Sequence, residues 1–479
     1  MDKTIAFFDI LHEDDIHWFL NNGTERTVEQ GAVFINSGDK DVPIYLIIDG
    51  FVELYTDGNN RLTVIGPGEM LETMPSLEGS VATVSARAIN EVTLLMYQPS
   101  LLMSKIKADY GFAYRYYKMI ASMMSQRYNA AVTHIKHINE NSSAYNVDNN
   151  TTWKKISDTI EEFKDLIHKA NIEALQNDDH ITTDTSDRIV ASFRKMLLTM
   201  NTEIGEGSPC NPNDKEVFGY KCQREMLPYI LLANAAERMY AKPRGYAGDY
   251  MTIQNMYNNN PSGKCAVGTI MDRCFLDDPA TKAVRNRRHL LIEAINNTIT
   301  SCGGNLTHIT SLACGPAAEV FDIYKELNDP SRLKSTLLDF DIEALAFVSR
   351  SIEKMRLTKY IDLVHENLIY LITKKRTLNI TRQDLIYSIG LIDYFTDKWV
   401  VKLLNLIYDL LKPGGRVILG NFHPRNSIRA FMDHILDWKL IYRTEDDMNR
   451  LFAESLFKRE CTNIRFEQEQ INMFAECIK

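Results

Sequence analysis

The stretch His308-Ile-Thr-Ser-Leu-Ala-Cys-Gly-Pro-Ala-Ala-Glu-Val320 runs from a β-branched segment through small residues at 313–318 into a helix beginning near Glu319. A strand, a tight small-residue turn and a helix is how α/β folds let a cofactor approach the backbone. Asp339 follows Gly315 by 24 residues, at the end of a second β-like run over 334–338. A carboxylate there can accept hydrogen bonds from two ribose hydroxyls.

The residues that follow keep alternating. Strands are expected at 309–312, 334–338, 360–366, 384–388 and 416–420, and helices at 318–327, 342–355 and 396–411. Pro413-Gly-Gly415 reads as a stop between the last of those helices and the last strand. A helix over 431–438 and strands in 463–467 and 473–478 complete the pattern. It predicts a parallel, doubly wound sheet ending in a β-hairpin.

A chain of 479 residues exceeds one ordinary core, so two or three domains are expected. The net charge of -9 argues against a general nucleic-acid or anionic-membrane binder. No apolar run reaches the roughly 18 residues that a membrane helix needs, and residues 1–8 do not read as a secretory signal. The eight cysteines are scattered without a C-x-x-C pair. Neither a metal site nor a disulfide framework is indicated, and reduced thiols in a cytoplasmic protein are expected.

Residues 5–98 read as many short strands separated by Gly31, Gly38-Asp39, Asp49-Gly50, Asp57-Gly-Asn-Asn60 and Gly66-Pro-Gly68, the rhythm of a β-roll. Residues 100–140 read as one helix, with Leu101, Leu102, Ile106, Phe112, Tyr116, Tyr117, Ile120 and Met124 at steps of three and four. Phe7-Phe-Asp-Ile-Leu11, Gly38-Asp39, Ile44-Tyr-Leu-Ile-Ile-Asp-Gly-Phe-Val52 and Gly66-Pro-Gly-Glu69 resemble the cyclic-nucleotide-binding domain family. The family's pocket uses a Phe-Gly-Glu segment and an Arg that pairs with the cyclic phosphate. Here Leu71-Glu72-Thr73 and Ser80 stand at those places. Loss of a bidentate phosphate contact implies no tight binding of cAMP or cGMP. Arg87 is the nearby alternative cation. The resemblance also implies a homodimer through the long helix.

The polar segment 139–152 is the expected linker between a first domain, 1–138, and a helical middle, 153–280. Helices are expected over 153–176, 187–201 and 223–240, the last tolerating Pro228. Lys242-Pro-Arg-Gly-Tyr-Ala-Gly-Asp-Tyr250 then makes a tight loop with polar tips, read as part of a lid and substrate wall. The helix over 281–297 carries Arg285, Arg287 and Arg288, one of which is expected to meet a carboxylate.

Residues 281–479 resemble S-adenosylmethionine-dependent class I methyltransferases. The resemblance implies a Rossmann-like sheet and a cofactor site. It would be formed by Ala313, Cys314, Gly315 and Pro316, by Asp339 or its rival Asp341, by Asn367 near the adenine, by Ser388, Ile389 and Gly390 below the methionine, and by Arg285. Gly245, Tyr246, Asp249, Tyr394 and Asn421 are the expected acceptor contacts. If the acceptor is a hydroxyl or amine, a base is needed, and His423 and His434 are the candidates. Tyr246 and Arg443 suit a carboxylate acceptor as donors. The β-roll, Lys242 to Tyr250, Leu312 to Ala317 and Trp438-Lys-Leu-Ile-Tyr-Arg443 together resemble bacterial proteins of 3-hydroxypalmitic acid methyl ester biosynthesis. That implies methylation of a small molecule, with the carboxyl of a 3-hydroxy fatty acid as acceptor. An N- or O-methyltransferase of a specialised metabolite and a non-catalytic nucleotide sensor are the alternatives.

Overall fold

The computed structural model describes residues 10–40, 42–56, 61–71, 81–139 and 150–479. Two compact units divide the chain. The first comprises residues 1–143 with segments 243–246 and 367–378; the second comprises 144–242, 247–366 and 379–479.

Among the described residues of the first unit, α1 (Glu13–Asn22) precedes eight strands: β1 (Thr24–Val28), β2 (Val33–Ile35), β3 (Ile44–Asp49), β4 (Val52–Tyr55), β5 (Arg61–Ile65), β6 (Met70–Leu71), β7 (Ser85–Ala88) and β8 (Val92–Tyr97). They form two antiparallel sheets, ordered β1-β8-β3-β6 and β2-β7-β4-β5. Val28, Ile35, Ile47, Val52, Ile65, Ala86 and Leu94 are buried in one shared cluster. Arg87 pairs with Glu53 at 3.0 Å and lies over the Tyr55 ring. Glu72 and Ser80, and most of the expected 139–152 linker, lie outside the described residues.

The expected helix over 100–140 is two helices, α2 (Pro99–Ala108) and α3 (Tyr110–Asn139). Asp109 separates them with an extended backbone, and its Oδ1 accepts the N–H of Phe112 at 2.9 Å. That side-chain cap starts α3 afresh although the apolar spacing continues through it.

The second unit begins with α4 (Thr151–Gln176), α5 (Thr183–Ile204), α6 (Pro212–Ile230), α7 (Asn234–Ala241), α8 (Tyr250–Asn258), α9 (Ala266–Leu276) and α10 (Pro279–Ser301). The expected helix over 223–240 breaks after Ile230, not at Pro228. Asp272 of α9 explains the restart, because its Oδ1 accepts the N–H of Ala235 at 2.6 Å. The helical interior is filled by large side chains, including Phe163, Phe193, Met196, Met226, Met271 and Phe275, continuous with Phe422 and Phe431 further along the chain.

Next come β9 (Thr307–Leu312), α11 (Ala318–Glu326), β10 (Leu333–Asp339), α12 (Ile342–Lys354), β11 (Ile361–His365), β12 (Gln383–Ile389), α13 (Asp397–Leu410) and β13 (Leu411–Phe422). The chain closes with α14 (Arg429–His434), α15 (Glu445–Glu454), β14 (Asn463–Phe466) and β15 (Asn472–Ile478). The seven strands are ordered β11-β10-β9-β12-β13-β15-β14. Pairing is parallel from β11 to β13, and β15 runs antiparallel to both β13 and β14. Strand β13 starts earlier than expected and runs through Pro413-Gly414-Gly415, where a register shift against β12 between Gln383 and Leu385 absorbs the irregular backbone. The order reverses between β9 and β12, and in open α/β sheets the crevice at the carboxyl ends of such strands receives the ligand.

Candidate cofactor and acceptor site

The turn after β9 holds three left-handed residues in alternation: Ala313 at φ 55°, Gly315 at φ 51° and Ala317 at φ 49°. A positive φ is strained for alanine and free for glycine. Cys314 N–H donates to Leu338 O at 3.0 Å, and Gly315 N–H to Asp339 Oδ2 at 2.8 Å. A Cβ placed on Gly315 would meet nothing within 4 Å, so the backbone there borders open space. Pro316 is buried behind it. Burial raises the Cys314 thiol well above its ordinary range, with Asp339 and Glu319 adding to the effect.

Asp339 and Asp341 part company. Asp339 is 5% exposed and accepts from Gly315 N–H and, through Oδ1, from Asp341 N–H at 2.9 Å. Burial pushes its pKa up to about 6, while those amides oppose the shift. Asp341 is the N-cap of α12, accepting from Glu343 N–H at 3.0 Å. A buried carboxylate beside an open backbone turn fits the ribose of a nucleoside; a capping carboxylate does not need one.

At the end of β12, Ser388 Oγ donates to Leu312 O at 2.9 Å and ties β12 to β9. Ile389 follows, then Gly390 at φ 80°. A Cβ on Gly390 would lie 3.1 Å from Nη1 of Arg287. Arg287 is 6% exposed, and its Nε is buried without an acceptor. The arginine expected here was Arg285. That side chain instead donates to Leu276 O at 2.6 Å, near Asp277, and Arg288 pairs with Asp322. Glu319, also buried, accepts the Tyr387 hydroxyl at 2.8 Å. The α10 pattern contained the signal for Arg287. It shares the buried stripe of Ala280, Val284, Leu291 and Ala294, whereas Arg285 and Arg288 are off it.

Tyr394, Ala247, Gly248 and Trp438 come together beyond β12. The Tyr394 hydroxyl accepts from Trp438 Nε1 at 2.8 Å and donates to Ala247 O at 3.3 Å. Gly248, at φ 75°, leaves 3.1 Å between a would-be Cβ and the Trp438 ring. Asp249 is 1% exposed and fully occupied, capping α8 through Thr252 N–H at 2.7 Å and pairing with Arg238 at 2.7 Å. Those partners make it a determinant of loop shape.

Gly245, Tyr246 and Asn367 belong to the first unit. Gly245 has φ 83°, and a Cβ there would collide with the Phe51 ring at 2.2 Å. Tyr246 stacks on Phe51 with ring centroids 6.1 Å apart. Asn367 caps the short helix Leu368–Ile372 through Ile369 N–H at 2.9 Å and donates to Ile48 O at 3.0 Å. Its amide is thereby engaged in holding backbone.

The remaining polar candidates have structural partners. His423 meets Glu445 Oε2 through Nε2 at 2.9 Å and accepts Arg425 N–H at Nδ1 at 3.1 Å, so both ring nitrogens are engaged. His434 packs on α6, where a Cβ on Gly219 would lie 2.3 Å from its Nδ1, and burial lowers its pKa. Asn421 is buried, donates to Phe422 O and Ile441 O, and accepts from Arg443 Nη1 at 2.8 Å. Arg443 is 2% exposed and spends all five N–H groups on Asp397, Ile392 O, Asn421 and Phe395 O. It clamps the start of α13 to the end of β13. Among the described residues no cluster of three His, Cys, Asp or Glu could hold a metal ion, and no helix is long and apolar enough to cross a membrane.

Residues 207–468, more than half of the chain, match the model of the family described as "Putative methyltransferase". Residues 25–109 match the cyclic nucleotide-binding domain. Among curated proteins no sequence matches the chain. Similar solved structures include a protein of Bordetella parapertussis described as a possible exported protein, at 17% identity and TM-score 0.42, covering 63% of this chain and 99% of that one. The N-methyltransferase NodS of Bradyrhizobium japonicum, solved with S-adenosyl-L-homocysteine, is 13% identical at TM-score 0.30, covering 42% of this chain and 89% of its own. Magnesium protoporphyrin IX methyltransferase of Synechocystis, with bound S-adenosylmethionine, is 10% identical at TM-score 0.31, covering 42% and 83%.

Proposed function

The chain belongs to this family of methyltransferases, and we propose that it moves a methyl group from S-adenosylmethionine to the carboxyl oxygen of a 3-hydroxy fatty acid or a related small acid. The observation that carries the donor assignment is the crevice at the β9/β12 reversal. There the open turn at Gly315 is bonded to the buried carboxylate of Asp339. When bound, the sulfonium supplies an electrophilic methyl carbon. The chain's own task is to orient and to exclude water. Asp339 would accept from the ribose hydroxyls, and the backbone around Gly315 and Gly390 would line the tail.

A carboxylate acceptor is already ionised at neutral pH and needs no general base. The partners of His423 and the packing of His434 support that choice, since neither imidazole is held ready to take a proton beside Tyr394 and Trp438. Incubation of the full chain with methyl-labelled S-adenosylmethionine and 3-hydroxypalmitate should give a labelled methyl ester. Label appearing only on hydroxyl or amine acceptors would overturn the carboxyl assignment and favour a specialised metabolite.

The protein is further proposed to be a cytoplasmic homodimer joined through α3. Tyr110, Tyr114, Tyr117 and Met124 are 86%, 67%, 46% and 43% exposed. With Ala121 they are spaced 4, 3, 4 and 3, a coiled-coil seam, and the spacing continues in sequence at Tyr128, Ala131, Ile135 and Ile138. Light scattering of wild type and Tyr114→Glu should read a dimer and a monomer; equal masses would contradict it.

A further inference from the structure

We infer that the outer face of the α4/α5 pair is a binding groove for an aliphatic chain ending in one anionic group, with Arg194 taking the head. Every residue of the groove lies in the helical part of the second unit, so the inference does not depend on the methyl-transfer reading.

A groove of about 760 Å³ runs between α4 and α5. That is the size of a small-molecule site. On α5 its wall is one stripe, Ala191, Arg194, Lys195, Leu198, Thr199 and Thr202, at steps of three and four. From 191 to 202 the helix rises about 16 Å, or three turns. The opposite stripe of the same helix, with Ile189, Phe193, Met196 and Met200, fills the helical interior. The groove stripe takes no part in that core, yet Leu198 stands on it 54% exposed.

The floor is apolar although three threonines line it. Thr159 donates its hydroxyl to Ile156 O at 2.7 Å, Thr199 to Lys195 O at 2.9 Å and Thr202 to Leu198 O at 2.9 Å. Those protons are spent within their own helices, so the threonines offer a ligand methyl surface and lone pairs but no donors. A phosphate, which needs several donors, is badly matched. A hydrocarbon chain is well matched beside Ala191 and Leu198.

Charge selects the head group. Lys155 pairs with Glu203 at 2.7 Å and Lys195 with Glu162 at 2.6 Å, two rungs that join α4 to α5. Arg194 is exposed, and no carboxylate pairs with it among the described residues. Three cations against two carboxylates leave one positive charge, on Arg194. A guanidinium holds a carboxylate through two parallel hydrogen bonds. One tail and one negative charge therefore satisfy the groove, whereas a polyanion would have to break the rungs.

Titration calorimetry of dodecanoate into the full chain, with no methyl donor present, tests this; acetate and dodecyltrimethylammonium are the controls. Wild type should bind dodecanoate and neither control. Arg194→Met should weaken dodecanoate roughly tenfold, the scale of one charge-assisted contact, and Arg194→Lys should recover part of the loss. Leu198→Ser should weaken it roughly fivefold. Ala191→Trp, which fills the groove, should abolish this binding. All three positions are exposed, so thermal midpoints should match that of wild type. No dodecanoate binding by wild type, or equal binding by wild type and Ala191→Trp, would overturn the groove. Equal binding of dodecyltrimethylammonium would overturn the anionic head. None of these outcomes bears on methyl transfer, which stands or falls by the ester assay above.

Discussion

The backbone N–H of Gly315 donates to Asp339 Oδ2 at 2.8 Å, across 24 residues of chain. Asp341 N–H holds the other oxygen at 2.9 Å. The turn after β9 and the end of β10 are therefore one preorganised object. Each oxygen keeps lone-pair capacity for a ligand hydroxyl, since an ionised carboxylate accepts about four hydrogen bonds.

Ionisation of Asp339 gives the first prediction. Burial raises its folded-state pKa from 3.8 to about 6. A carboxyl raised on folding contributes stability below the unfolded value, and loses it as pH rises through the folded one. Folding is thus favoured by protonation, whereas the proposed ribose contact is favoured by the anion. Affinity for S-adenosylhomocysteine should rise from pH 5 to pH 7 with a midpoint near 6. Asp339→Asn should bind weakly with little pH dependence, and should lose less stability than wild type over the same span. Calorimetry and denaturation across that range check both signs. Asp278 and Asp393 are raised to about 6 in the same way and should affect stability alone.

The strained turn gives the second. Ala313 is half-buried at φ 55°, where a side chain opposes the backbone. Ala313→Gly should stabilise the second unit by about 1 kcal/mol. Ala317→Gly should gain less, because its Cβ is packed in the core at 1% exposure. Urea midpoints separate the two.

Local sequence carried some of this and not the rest. The strands and helices of the sheet were readable because β-branched runs and apolar spacing are properties of a few adjacent residues. The tight turn at 313–318 was readable because only small side chains fill it. Arg287 was not separated from Arg285, since both are arginines on one helix and only the buried face distinguishes them. The break at Asp109 was hidden because the apolar stripe runs through it. Asn367 and Tyr246 take their partners, Ile48 and Phe51, from more than 190 residues away, which leaves no local trace. Helices α8, α9 and α15 are not expected from the sequence. In β13 a register shift accommodates a Pro-Gly-Gly run that otherwise reads as a stop.

Arg443 gives the third prediction. Arg443→Met removes the guanidinium that Asn421 Oδ1, Ile392 O and Phe395 O all accept from in a buried cluster. The cost should be about 3–5 kcal/mol. Arg443→Lys should not restore it, because an ammonium cannot span the same acceptors. Chemical denaturation reads the loss. A variant with unchanged stability but abolished methyl transfer would assign Arg443 to the chemistry instead.

The fourth concerns His423. With Nε2 on Glu445 and Nδ1 on Arg425 N–H, the imidazole acts as a tether of the segment after β13. His423→Gln keeps one donor and one acceptor, so the pH–rate profile of methyl transfer should keep its shape. Loss of the acidic limb of that profile would identify His423 as the base.

The donor site is tested most directly by calorimetry of S-adenosylhomocysteine on the full chain, wild type beside Asp339→Ala at pH 7.5. Saturable 1:1 binding by wild type is predicted, with affinity reduced roughly thirty-fold or more in the variant, the worth of lost hydrogen bonds to a charged group. Equal binding by the two proteins, or none by wild type, would contradict the account.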